Sequence, residues 1–249
     1  MSTANVAVSK PIKIREVWAE NLESEIALLS DLVDRYPIIS MDTEFPGVIF
    51  KLQEDPRARR PSPSDHYRIL KSNVDALKLI QLGITLSDVA GNLPSLGPDG
   101  ELCIWKFNFS DFDADCDPHA PSSIELLRSQ GVDFERSRRS GVDSVRFAEL
   151  MMGSGLVCND AVSWVTFHSA YDFGYLVKIL TRRLLPARID GFMDVLKAFF
   201  GENVYVAILR ELAWGFESGG ADFGRGPTCR KVSPSRYEKY GGVLYGLQV

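Results

Sequence analysis

The stretch Pro37-Ile38-Ile39-Ser40-Met41-Asp42-Thr43-Glu44-Phe45-Pro46-Gly47 decides the fold. Its apolar opening reads as a strand, and Phe45-Pro46-Gly47 as the sharp turn that ends it. In a strand, side chains two residues apart point the same way. Asp42 and Glu44 therefore leave one face together at the strand mouth, close enough to share a divalent cation. A second apolar run, Val162-Ser163-Trp164-Val165-Thr166-Phe167, is followed by a third acid, Asp172. Three carboxylates at strand ends fit metal-dependent phosphoryl chemistry.

Each of these signals has a plainer reading. A D-x-E triplet recurs at Asp133-Phe134-Glu135, read as surface charge between helices. Asp172, at the start of a helical pattern, could equally complement a helix dipole. His168 reads as a hydrogen-bonded structural residue at a strand end rather than a base. The run Asp111, Asp113, Asp115, Asp117 fails as a calcium loop, because Cys116 and Ser122 occupy the positions that need Gly and Glu. It reads as a solvated acidic turn. The glycines at Gly220–Gly226 lack dinucleotide-binding spacing and follow no strand.

At 249 residues and 45% hydrophobic, the chain can bury one sizeable α/β core. We expect a loose tail over residues 1–11 and a single domain over 12–249. A net charge of -5 excludes a passive basic coat for nucleic acid. Four scattered cysteines without a C-x-x-C pair argue against a zinc ribbon or a disulfide framework. No apolar run approaches the length of a membrane span, and the first residues do not resemble a secretion signal. Cytoplasm and nucleus are the expected locations.

Leu22, Ile26, Leu29 and Val33 recur at helical spacing, with Asn21 placed to cap them. Residues 51–65 form a basic, proline-interrupted loop. Arg57, Arg59 and Arg60 there read as ordinary surface charge or as a phosphate-contacting rim. A helix ending at Ala76 leads into a strand over Leu77–Leu86. A glycine- and proline-rich turn over 90–100 separates it from a strand over Leu102–Phe109. Helical patterns occupy 122–130, 144–153, 173–184 and 190–200. The expected fold class is α/β, a mixed sheet with helices on both faces. Residues 206–238 are atypical, rich in Gly and Pro and poor in aliphatics.

Together, Asp42-Thr43-Glu44-Phe45-Pro46-Gly47 and His168-Ser169-Ala170-Tyr171-Asp172-Phe173-Gly174-Tyr175-Leu176 resemble the CAF-one (Pop-two) family of DEDD-type poly(A) ribonucleases. The likeness runs from about Ile14 to Tyr205. It includes Lys78-Leu79-Ile80-Gln81-Leu82-Gly83 and Trp105-Lys106-Phe107-Asn108-Phe109, and resumes at Tyr240–Leu247. Its style is most similar to the plant branch. The resemblance implies an RNase H-like fold and a deadenylase that releases AMP 3′ to 5′ from poly(A) RNA. It implies two Mg²⁺ or Mn²⁺ ions, about 3.5–4 Å apart, held by Asp42, Glu44 and Asp172. Phe45 and Phe173 would contact RNA. The implied partners are a second deadenylase subunit and a large scaffold protein.

The family's third motif, His-Gln-Ala-Gly-Ser-Asp-Ser, is missing here. The three histidines, His66, His119 and His168, all lie upstream of its place. Either Asp222 is the fourth metal-binding acid with Glu217 in the histidine's place, or the motif is deleted before Tyr240. The family's Val-Tyr-Asp aspartate is likewise replaced by Val206. Alongside the enzyme, this leaves a catalytically inactive binding subunit of the deadenylase complex as the second expectation.

Overall fold

A computed structural model describes residues 11–52, 62–167 and 170–207. Its central feature is a mixed sheet in the order β1-β5-β3-β2-β6-β7, with the two-residue β4 (Ser95–Leu96) paired to β5 off this path. The strands are β1 (Ile12–Val17), β2 (Ile38–Glu44), β3 (Gln81–Ser87), β5 (Glu101–Asn108), β6 (Ser163–Phe167) and β7 (Val204–Ala207). β2 runs antiparallel to β3 and parallel to β6, and β6 is parallel to β7. β3 and β5, on either side of the glycine- and proline-rich turn, pair antiparallel, and β2 sits near the middle of the sheet.

Alternation along the strands sorts the two faces. Ile39 and Met41 of β2, Leu82, Ile84 and Leu86 of β3, and Cys103, Trp105 and Phe107 of β5 are all buried. They join one core with the apolar sides of α1 (Leu22–Leu32), α2 (Pro63–Ala76), α5 (Ser144–Gly153), α6 (Ala170–Thr181) and α7 (Ile189–Phe200). The opposite face carries Ser40, Asp42 and Glu44, Gly83 and Thr85, and Ile104 and Lys106, all at least partly accessible. Among the described residues, the helices of this core pack on the first face alone. A smaller core under α3 (Pro121–Ser129) gathers Ile80, Phe112, Ile124 and Leu127.

Several local readings need correction. Asn21 stands at the start of α1, but its side chain caps nothing there. Its Oδ1 accepts from Trp18 N at 2.8 Å instead, and its amide donates to Glu16 O. α2 begins inside the stretch read as loop, because Ser62 and Asp65 form a reciprocal capping box ahead of Pro63. Asp133 is not mere surface charge; it accepts from Arg136 N and caps the short α4 (Phe134–Ser140). The acidic turn satisfies itself: Asp117 accepts from Asp113 N at 2.7 Å and pairs with Lys78, and Asp111 accepts from Ser144. No helix among the described residues is long and apolar enough to cross a membrane.

Buried polar groups fasten the helices where they meet the strands. Glu25 accepts both Arg15 nitrogens, at 2.8 and 2.6 Å, and Trp105 Nε1 at 2.9 Å, tying α1 to β1 and β5. Lys178 of α6 donates to the carbonyls of Val74, Asp75 and Leu77, which closes the C-terminal end of α2. Asn73 of α2 is fully buried and holds the chain that leaves β2. Its Oδ1 accepts from Ile49 N and Phe50 N, and its Nδ2 donates to Phe50 O. Asn73→Ala would strand these backbone groups. We expect it to lower unfolding free energy by at least about 2 kcal/mol, measured by urea denaturation.

Candidate active site

β2 extends through both acids of its motif, so the whole of Asp42-Thr43-Glu44 is strand. Asp42 is exposed and Glu44 partly so, on the face away from the helices. Thr43, between them, points the other way and is buried. The chain then turns at Gly47, whose φ of +83° favours glycine, and a Cβ there would meet Ser123 Oγ at 2.3 Å. This turn brings Pro46 against α3, where its carbonyl accepts from Ala120 N at 2.8 Å.

Asp172 lies in the first turn of α6 and is only 5% exposed. Its Oδ1 accepts the Thr43 hydroxyl at 2.5 Å. Burial pushes its carboxyl up to about 7, and the charge of Asp42 adds to the rise; the Thr43 hydroxyl and backbone N–H groups oppose it. Glu44 is also raised, first by burial and then by Asp42. Asp42 thus interacts with both of the other acids. Among the described residues no three such groups close on a single point. A shallow groove of about 330 Å³ opens beside them, lined by Asp42, Glu44, Gln81, Gly83, Ile104 and Lys106 among others.

Two residues of this site gave no functional signal in the sequence. Gln81 faces Glu44 across the β2–β3 ladder and donates to Asn108 Oδ1 at 2.6 Å. Asn108 in turn donates to Glu16 Oε2 at 3.0 Å, so a polar row, buried at Gln81 and Asn108, runs from beside Glu44 to the sheet edge. Thr43 is the other, and strand alternation alone could have flagged it as the inward member of the motif.

The aromatic candidates divide. Phe45 is sandwiched between Tyr171, stacked at a centroid distance of 5.2 Å, and Tyr175 at 5.1 Å. Phe173 needs correction as an RNA contact. It is fully buried, edge-on to Phe200 at 5.0 Å, because α6 turns that side into the core. His168, Asp222, Glu217 and Arg57, Arg59 and Arg60 lie outside the described residues, as does the atypical stretch beyond Ala207.

Residues 17–151 match the model of the CAF1 family ribonucleases. The chain is 44% identical, over 96% of its length and 94% of the relative's, to the probable CCR4-associated factor 1 homolog 7 of Arabidopsis thaliana. It is 41% identical to the poly(A) ribonuclease pop2 of Schizosaccharomyces pombe, over 89% of this chain and 63% of that one. This chain belongs to the CAF1 ribonuclease family. The S. pombe Pop2p structure in its Mg²⁺- and Mn²⁺-bound form is similar at a TM-score of 0.69 and 41% identity, over 80% of this chain and 75% of that one. A yeast CAF1 co-crystallised with the NOT1 MIF4G domain gives 0.65 and 31% identity, over 94% and 86%. The fold is the RNase H-like α/β fold that the sequence resemblance implied.

The raised carboxyl of Asp172 has a measurable consequence for the metal-free protein. Its folded-state value lies above its unfolded one, so its stabilising contribution is complete below the ordinary aspartate range and lost as pH rises through about 7. Asp172→Asn removes the charge and can still accept from Thr43. It should stabilise the metal-free protein by roughly 2–4 kcal/mol at pH 8. The gain should shrink steadily towards pH 5, measured by thermal unfolding in a chelator.

Proposed function

We propose that this protein is a poly(A)-specific 3′–5′ exoribonuclease, an mRNA deadenylase that releases AMP. The observation that carries this reading is the set Asp42, Glu44 and Asp172 at one end of β2 and α6, with no cationic side chain paired to any of them among the described residues. Uncompensated hard oxygen donors of this kind fit Mg²⁺ or Mn²⁺. That fit supports carrying over the divalent ions of S. pombe Pop2p. The name of its poly(A) ribonuclease relative supports the substrate.

Asp42, Glu44 and Asp172 would hold the ions; the fourth acid would be Asp222 in one register, and in the other the third motif is deleted and no fourth acid is supplied. Bound divalent ions would supply a hydroxide near neutral pH and stabilise the leaving 3′-oxygen. The protein's own residues place the carboxylates. β2 aims Asp42 and Glu44 at the groove, and α6 with Thr43 holds Asp172 beneath them. The groove offers room for the 3′ end beside Asp42 and Glu44. No histidine follows His168, so the expected rate is about 10²–10⁴-fold below that of a relative with a general-base histidine. A NOT1-type scaffold, as seen with yeast CAF1, and a second deadenylase subunit are the proposed partners, in cytoplasm and nucleus.

The test is incubation of the full chain with 5′-labelled oligo(A) and Mg²⁺. A ladder shortening from the 3′ end is expected. It should disappear with chelator and return with Mn²⁺. Asp42→Ala should slow it by more than the 10–100-fold typical of losing an outer partner of a metal ligand. No ladder at any enzyme concentration would rule out catalysis and leave the binding-subunit reading.

A further inference from the structure

Thr43 occupies the centre of the acid motif yet faces away from both acids. It is 7% exposed, on the face of β2 that meets the helices. Its hydroxyl joins β2 to α6, donating to Asp172 Oδ1 at 2.5 Å across 129 positions of sequence, and its backbone N–H also favours that carboxylate. A carboxylate on the first turn of a helix has two side-chain torsions free to turn it. A fixed donor on one oxygen removes that freedom.

The surroundings make this contact rigid. β2 is paired on both sides, to β3 over its whole length and to β6 over Ile38–Met41. Two residues beyond Thr43 on the same face, Phe45 wedges between Tyr171 and Tyr175, which flank Asp172 on α6. Asn73 Nδ2 also reaches the Tyr171 hydroxyl. Hydroxyl and aromatic wedge together fix α6 against the strand that carries Asp42.

We infer that Thr43 is a positioning residue: its hydroxyl orients the Asp172 carboxylate so that Asp42 and Asp172 present oxygens to a shared divalent cation. This rests on the proposed metal-dependent nuclease reading. The alternative role is packing, in which Thr43 merely fills space and finds a partner for a buried hydroxyl. The two differ in what a hydroxyl-free isostere does.

Thr43→Val keeps the shape and removes the donor, whereas Thr43→Ser keeps the donor and removes a methyl group. Mn²⁺ affinity of the full chain, read from the electron paramagnetic resonance of free Mn²⁺, separates them without relying on turnover. Thr43→Val should weaken Mn²⁺ binding about 10–100-fold, as losing an outer partner of a metal ligand does. It should lower kcat on oligo(A) with little change in KM. Thr43→Ser should stay within about threefold of the parent on both readouts, and in an Asp172→Asn background Thr43→Val should add no further loss. If the valine chain does not fold, Thr43→Ala replaces it. Equal Mn²⁺ affinity in the parent and Thr43→Val overturns the inference and leaves the nuclease reading standing. So does an equal loss in Thr43→Ser and Thr43→Val. No Mn²⁺ binding by the parent chain overturns both.

Discussion

Everything at the candidate site depends on the two-residue alternation of β2 through Asp42-Thr43-Glu44-Phe45. The acids leave on the open face, while Thr43 and Phe45 leave on the face that packs against α6. A slip of one residue would bury the acids and expose the anchors. The register is held against this by the ladder from Ile38↔Ser87 to Glu44↔Gln81 on one side and by Ile38↔Ser163 to Met41↔Thr166 on the other. A tetrapeptide that reads as a metal motif is therefore also a joint between strand and helix.

This dual use explains what the sequence could and could not disclose. β2, β3, β5 and β6 were legible because long apolar runs with turns between them have few other readings. β1 was not, since it lies at an edge with Ile12 55% and Ile14 53% exposed, and nothing buries its alternation. α4 was hidden by its composition, Phe-Glu-Arg-Ser-Arg-Arg-Ser, which offers no apolar stripe to count. Phe173 was misread for the opposite reason. α6 is buried from Asp172 through Val177, so helical periodicity gives no guide to which side meets solvent. The acids themselves were visible as residue types, but their grouping through Asp42 and the inward anchor at Thr43 are facts of three-dimensional arrangement.

The polar rows at the other side of the sheet serve the same geometry from a distance. Glu44, Gln81 and Asn108 are successive partners across β2, β3 and β5. Gln81 passes a hydrogen bond to Asn108, and Asn108 passes another to Glu16 of β1. Glu25 binds Arg15 and Trp105 just beyond. Satisfied buried networks of this kind are specific in register, because a shifted strand would leave several polar groups unpaired at once. They fix the floor on which Glu44 stands, and two of their members, Gln81 and Trp105, also line the groove.

Charge is the property the site leaves unbalanced, and its neighbours show why. Lys106 lines the groove with Asp42 and Glu44, yet it pairs with Glu16 at 2.6 Å. Lys178, on the same helix as Asp172, donates to three carbonyls at the end of α2. Each flanking lysine is committed to holding the scaffold, so neither neutralises the acids. A buried Asp172 without a cation costs stability, and the fold tolerates it because α6 is held by Lys178, by the Phe45 wedge and by the core around Phe173. Arrangements that sacrifice stability at one carboxylate while bracing its surroundings are those expected where function needs the charge. The counter-charge absent from the described side chains is what divalent ions would supply, and the bracing explains how the acids keep their places without it.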